Sequence, residues 1–288
     1  MRFLHCSDIH VTQQYDPIAF RELGWRRSVA MLEHTIGGRS RAYAHASATL
    51  RAITADVERH AADHLLITGD LTAYATELEF QMARDALGSV GGSRVTCSVV
   101  PGNHDYFTPG SVQEGRFERH FRHLLESDFP EYCVAGPYPF VHLKGNDVAV
   151  VGLCSAMVPP FPGLASGLLG TDQLASFGDL LRDVRVRHRA VLVMVHHAPL
   201  DAAGQRDTFV HGLRDGDALL QLMTGPQYAV LHGHLHARFH HAATATRPHL
   251  FCAGSSTRIG DEGYWLIEVM DGRIRGGTIH APRRSLTN

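Results

Sequence analysis

The 288-residue sequence has no CxxC pair, no long block of basic residues and no apolar stretch long enough to span a bilayer. Each absence removes a class of function. The five cysteines, at positions 6, 97, 133, 154 and 252, form an odd and dispersed set, which fits neither a disulfide framework nor a thiolate zinc centre. They read as reduced, small hydrophobic residues of a cytoplasmic protein. Lys and Arg number 27 against 29 Asp and Glu, a formal charge of −2. With no basic run to track a phosphate backbone, sequence-specific nucleic-acid binding is not expected. The most apolar segment, 190–195, is far shorter than the ~18–20 residues of a spanning helix. Met1 leads directly into a strand-like segment, so neither a signal peptide nor a transmembrane helix is expected. A chain of this length forms a core without needing a metal to hold it, so any metal has to be argued from chemistry.

What the sequence does have is histidine, 21 residues of it, and a repeated arrangement of apolar runs that stop at polar turns. A short strand ends at Asp8-Ile9-His10, and residues 11–43 follow with no clean period, as a surface or cap excursion. Alanine and leucine at helical spacing over 44–62 lead to a strand ending at Gly69-Asp70, the start of a βαβ unit. A helix over 77–87 precedes a strand over 95–100, closed by Pro101-Gly102-Asn103-His104-Asp105. A helix is predicted over 116–126, and strands over 140–143 and 148–153. After a Pro/Gly-rich stretch comes a helix over 171–183 with Thr171 as its cap. The strand over 190–195 ends at His196-His197-Ala198-Pro199, and a shorter one over 229–231 ends at His232-Gly233-His234. Strands over 250–253, 264–270 and 273–279 complete the chain, the last two joined by a hairpin at Asp271-Gly272. Without repeats or an evident linker, residues 1–288 read as one α/β domain with antiparallel additions.

Five strand ends therefore carry metal-competent side chains: Asp8 and His10; Asp70; Asn103 and His104; His196 and His197; His232 and His234. Loops at the ends of neighbouring strands converge in space, so ligands far apart in sequence can share one site. The i,i+2 spacing of Asp8/His10 and of His232/His234 lets both members of each pair face one side. Asp, Asn and neutral His supply a mixed oxygen and nitrogen environment suited to Mn, Fe, Zn or Co. Two such ions about 3.5–4 Å apart can activate a water and clamp a phosphoryl group. Asp70, with two oxygens and a charge, is the natural bridge.

These blocks resemble the calcineurin-like metallophosphoesterases, in their order and from residue 8 to 234: Asp8-Ile9-His10, Gly69-Asp70, Gly102-Asn103-His104-Asp105, His196-His197-Ala198-Pro199 and Gly233 between His232 and His234. The resemblance implies a four-layer αββα sandwich of two packed mixed β-sheets. It implies one divalent or mixed-valence transition-metal ion held by Asp8, His10, Asp70 and His234. A second would be held by Asp70, Asn103, His196 and His232. His104 would stand beside the scissile phosphate and protonate the leaving oxygen, with Asp105 orienting its ring. His197 would contact substrate or a ligand at most, and His236 lies near enough to the site to watch.

The reaction expected is phosphodiester hydrolysis by a metal-bridging hydroxide, as in a small bacterial-type phosphodiesterase branch, with a cyclic nucleotide as leading substrate. Gly24-Trp25-Arg26-Arg27, with Arg21, Arg39 and Arg41, could instead serve an amphipathic substrate. That alternative is a lipid-linked phosphodiester or pyrophosphate at a lipid headgroup surface, by a protein peripheral to the membrane; Trp25 could equally be a buried anchor. Segments 155–162 and the loop after Pro199 are candidate specificity walls. A phosphomonoesterase and a non-catalytic metal-stabilised binding protein are the remaining alternatives. The oligomeric state is not legible.

Overall fold

The structure, a computed structural model, describes residues 1–13, 39–158, 164–207 and 209–283. The part of the cap reading of 11–43 that spans 14–38, with Arg21, Trp25, Arg26 and Arg27, therefore lies outside the described residues. β1 (Arg2–Cys6) is buried from Phe3 onward. β2 (His64–Ile67) runs parallel to it, with Phe3 opposite His64 and Cys6 opposite Ile67, and β3 (Cys97–Val99) runs parallel to β2. Parallel neighbours require crossover connections. α1 (Ala46–Arg59) supplies the first and buries Leu50 and Ile53; α2 (Glu77–Leu87) supplies the second and buries Phe80, Ala83 and Leu87. α2 begins at a capping box, in which Thr76 Oγ1 accepts the Glu79 N–H at 3.2 Å and the Glu79 carboxylate accepts the Thr76 N–H at 3.2 Å. Two antiparallel strands from the chain's end, β10 (Tyr264–Met270) and β11 (Arg273–His280), extend this sheet to the order β11-β10-β1-β2-β3.

The second sheet is built from β4 (Phe140–Lys144), β5 (Val148–Gly152), β6 (Ala190–Met194), β7 (Tyr228–His232), β8 (Arg238–His241) and β9 (His249–Ala253). Its order is β4-β5-β6-β7-β9-β8, parallel from β5 to β9 and antiparallel at both edges. Alternate residues of its central strands serve two cores. Val148, Val150, Leu192 and Met194 join the core shared with the first sheet, whereas Ala149, Val151, Val191 and Val193 pack with Phe177, Leu180 and Leu219. The latter three come from α4 (Thr171–Arg182) and α5 (Gly216–Gln221). Strands buried on both faces explain why 148–153 and 190–195 read as unbroken apolar runs. The result is the expected four-layer αββα sandwich.

Three local expectations need correction. The helix over 116–126 is α3 (Arg116–Phe121) followed by a 3-10 turn, Arg122–Leu124. Thr171 is the first residue of α4 and does not cap it; Asp215 instead accepts the Leu169 and Gly170 N–H groups at the approach to the helix. β8, Arg-Phe-His-His, was not anticipated, because its half-buried side chains give no alternation. All five cysteines are free. Among the described residues, no helix is long and apolar enough to cross a membrane.

Candidate metal centre

The parallel strands of both sheets end at one place. Beyond β1 the backbone stays paired with the exit of β2: Asp8 N–H donates to Gly69 O at 3.1 Å, and Ile9 and His10 N–H donate to Asp70 O at 2.9 and 2.8 Å. Asp8, His10 and Asp70 all adopt φ of 53°, and beyond β7 His234 and His236 adopt 70° and 53°. Such left-handed backbone costs an L-residue ~1–3 kcal/mol and persists where the surroundings impose it. Two close approaches do so. A Cβ on Gly102 would fall onto the Asp70 carboxylate and amide, and one on Gly233 would fall onto Ser7 and Asp8.

The side chains converge as two donor groups that share Asp70. In the first, His236 Nε2 is 3.2 Å from Asp8 Oδ1 and 3.4 Å from His10 Nε2, and His10 Nε2 is 3.8 Å from both Asp8 Oδ1 and Asp70 Oδ2. In the second, His196 Nε2 is 3.1 Å from Asn103 Oδ1, 3.2 Å from His234 Nδ1 and 3.4 Å from Asp70 Oδ2. His196 Nδ1 donates to Thr68 O at 2.7 Å, which turns Nε2 toward these three atoms. The other carboxylate oxygens are fixed by backbone: His104 N–H donates to Asp70 Oδ1 and His234 N–H to Asp8 Oδ2, both at 2.8 Å.

This donor set fits cations. Asp8 Oδ1 is buried with no well-aligned hydrogen bond while His236 Nε2 lies 3.2 Å away, a placement that suits two atoms directed at one cation. Burial alone raises a carboxyl pKa, yet His196, His104 and His10 hold Asp70 well below the usual carboxylate range. Burial lowers an imidazole pKa, yet Asp70 and Asp8 push His196 up to about 9. Burial and the neighbouring His104 hold His10 low; burial together with His197 and His196 holds His234 low. A tight group of carboxylates and mostly neutral rings is thus ready for metal cations.

The expected residues do not all meet. Asp8, His10, Asp70, Asn103, His196 and His234 come together, but His232 does not join any of the His/Asp clusters of metal-binding size among the described residues. It is the last residue of β7, lies against Phe239 at 5.6 Å between ring centroids, and its Nε2 is buried without a partner. His236, and not His234, lies beside Asp8 and His10, while His234 lies beside His196. A signal for it was present, since His234-Leu235-His236 has the same i,i+2 spacing as Asp8-Ile9-His10 and directly follows Gly233.

His104 stands at the edge of the first group, its ring 4.8 Å from that of His10. Its Nδ1 donates to Ala73 O at 2.7 Å, leaving Nε2 as the free nitrogen. Asp105 does not orient this ring. Its carboxylate accepts from Leu71 N–H, Thr72 N–H, Thr72 Oγ1–H and Gly102 N–H at 2.9–3.2 Å, tying the loops after β2 and β3 together. Those donors favour its charged form, while burial and the Asp70 charge push it up to about 7. His197 is buried, groups with His196 and His234 at metal-binding distances, and has Nδ1 2.8 Å from Ser155 Oγ.

A model described as calcineurin-like phosphoesterase matches residues 1–238 of the chain. No curated protein matches it in sequence. Among solved structures, a dimetal phosphatase from Danio rerio is similar over 98% of this chain and 99% of its own, with TM-score 0.63 and 12% identity. A purple acid phosphatase from yellow lupin aligns over 96% of this chain and 53% of its own, with TM-score 0.54 and 10% identity. A Staphylococcus aureus protein assigned as a 5′-nucleotidase aligns over 100% of this chain and 55% of its own, with TM-score 0.51 and 14% identity. At such identities the likeness is one of fold.

Proposed function

Because the chain belongs to the calcineurin-like phosphoesterase family, we propose that it is a metal-dependent phosphodiester hydrolase, with a cyclic nucleotide as the leading substrate among small phosphoesters. Asp8, His10, Asp70 and His236 would hold one ion, and Asp70, Asn103, His196 and His234 the other. In this reading His236 takes the place expected of His234 in the first group, and His234 the place expected of His232 in the second. Bound ions would supply the positive charge that acidifies a water and neutralises phosphoryl oxygens.

The observation that carries a hydrolytic reading is His104. Binding metal does not require a histidine whose Nδ1 is committed to a backbone carbonyl and whose Nε2 is left free beside the donor groups. With Nδ1–H pinned to Ala73 O, Nε2 is the nitrogen that carries a proton to the departing ester oxygen. Asp105 keeps the Gly102–Asp105 turn against the Asp70 loop and so fixes where His104 stands. Asp70 Oδ1 adds to this by accepting the His104 N–H. A scaffold that kept ions for stability alone would have no use for that placement.

The test is turnover of bis-para-nitrophenyl phosphate, para-nitrophenyl phosphate and cyclic AMP with Mn²⁺, Fe²⁺, Zn²⁺ or Co²⁺. His104→Ala is expected to lower kcat about 10²–10⁴-fold while the metal content stays at the wild-type level. Metal-loaded wild-type protein that turns over none of these substrates would instead identify a binding protein.

A further inference from the structure

On the side of the second donor group, away from His104, a short loop stands over His234. The His211 ring lies 6.1 Å from the His234 ring, tilted by 45°. The loop is a built feature. Asp207 Oδ1 accepts the Phe209 and Val210 N–H groups at 3.1 and 2.8 Å, and Oδ2 accepts the His211 N–H at 2.9 Å. Burial would raise the Asp207 carboxyl, but these backbone donors hold it below its ordinary value. The far end of the loop is tied down as well, because Leu213 N–H donates to Ala198 O at 2.9 Å, two residues beyond His196, and Gly167 N–H donates to Gly212 O at 3.1 Å.

This frame holds two side chains out toward solvent. Phe209 is 72% exposed, an apolar ring left in water that the core does not use. His211 has Nδ1 3.5 Å from Asp207 Oδ2, so its Nε2 faces away from the carboxylate. A cation-ready centre thus has one free imidazole nitrogen at each side, His104 next to His10 and His211 next to His234, and an exposed aromatic ring two residues before the second in the same loop.

We propose that His211 and Phe209 form the rim that receives the ester group retained on phosphorus in a phosphodiester. His211 donates from Nε2 to an oxygen of that group, and Phe209 covers its apolar part. The proposal rests on the phosphoesterase reading and deepens it: His104 serves the group that leaves and His211 the group that stays. A monoester has no second ester group, so the rim discriminates between the two substrate classes. Asp207 is a positioning residue that acts through the loop.

Equilibrium binding of diphenyl phosphate and of inorganic phosphate to metal-loaded protein separates the outcomes, together with kcat/KM for bis-para-nitrophenyl and para-nitrophenyl phosphate. His211→Ala and Phe209→Ala are each expected to weaken diphenyl phosphate relative to inorganic phosphate by about fivefold. They should lower the diester-to-monoester kcat/KM ratio to match, mainly through KM, at wild-type metal content. Asp207→Ala should reproduce that shift. Equal effects on both ligands and both substrates, or none on either, would overturn the rim while leaving the phosphoesterase intact. Wild-type protein that binds and hydrolyses neither class would reject the phosphoesterase reading itself and the rim with it.

Discussion

Asp70 joins the two donor groups, and its setting shows how much single residues do in this site. One oxygen accepts the His104 N–H, and the other faces His10 and His196, so the same carboxylate orders the neighbouring turn and faces both groups. His234 and His236 follow the same logic from β7, separated by one residue and assigned to different groups. His232, two residues earlier, is still in the strand and points elsewhere. The consequence is a contrast between like substitutions. His236→Ala should lose one of the two ions, measured as metal per protein after dialysis, with activity lost alongside. His232→Ala should keep both ions. Equal metal loss in the two variants would contradict the assignment of His236. The Asp8, His10, Asp70, Asn103 and His196 positions were legible in sequence because each follows an apolar strand directly; the choice among three histidines spaced by two was not, because it depends on where β7 stops.

At the scale of elements, the site depends on loops that cross at very short range. Gly102 lies against the Asp70 backbone and carboxylate, and there is no room for a side chain between them. Gly102→Ala must push the turn carrying Asn103 and His104 away from Asp70. Metal affinity is expected to fall about 10–100-fold, as for lost outer contacts of a metal site, and competition with a chelator would measure it. Affinity within twofold of wild type would show that the turn can relax. Helices α1, α2 and α4 were legible because their inward residues recur at helical spacing, whereas the short α5 was not anticipated. β8 and the approach to α4 were not. β8 is defined by pairing with β9, and the turn before α4 is held by Asp215, 44 residues further along the chain than Thr171. Both are contacts between distant segments.

Across the whole molecule, the abundance of histidine becomes a property of stability. His5 and His142 are buried with pKa values lowered to about 3, and His232 to about 4, chiefly by burial. Unfolding restores each ring to a value near 6.5, so the unfolded chain takes up protons that the folded one refuses. The stability these rings contribute is full above about pH 6.5 and declines as pH falls toward their folded values. Asp105, raised to about 7, opposes them by one proton, because its folded form gains a proton first. His196, raised to about 9, contributes below about pH 6.5 and loses that contribution as pH rises through 9. For chelated protein, the unfolding free energy should therefore fall between pH 6.5 and 4.5, by about 1.4 kcal/mol per pH unit for each net proton, with a net uptake of about two or more. Denaturant titrations at pH 6.5, 5.5 and 4.5 check this, and a flat profile would rule it out. By itself the sequence determined the alternation of strands and helices and set most of the candidate donor residues at strand ends. These depend on local spacing and on residue chemistry. Only the tertiary structure brings His236 beside Asp8 and His10 and His234 beside His196, ties the Asp105 carboxylate to the Leu71, Thr72 and Gly102 amides, and sets the His211 ring near His234. Those outcomes rest on where strands end and on contacts between segments far apart in the chain, which no local pattern encodes.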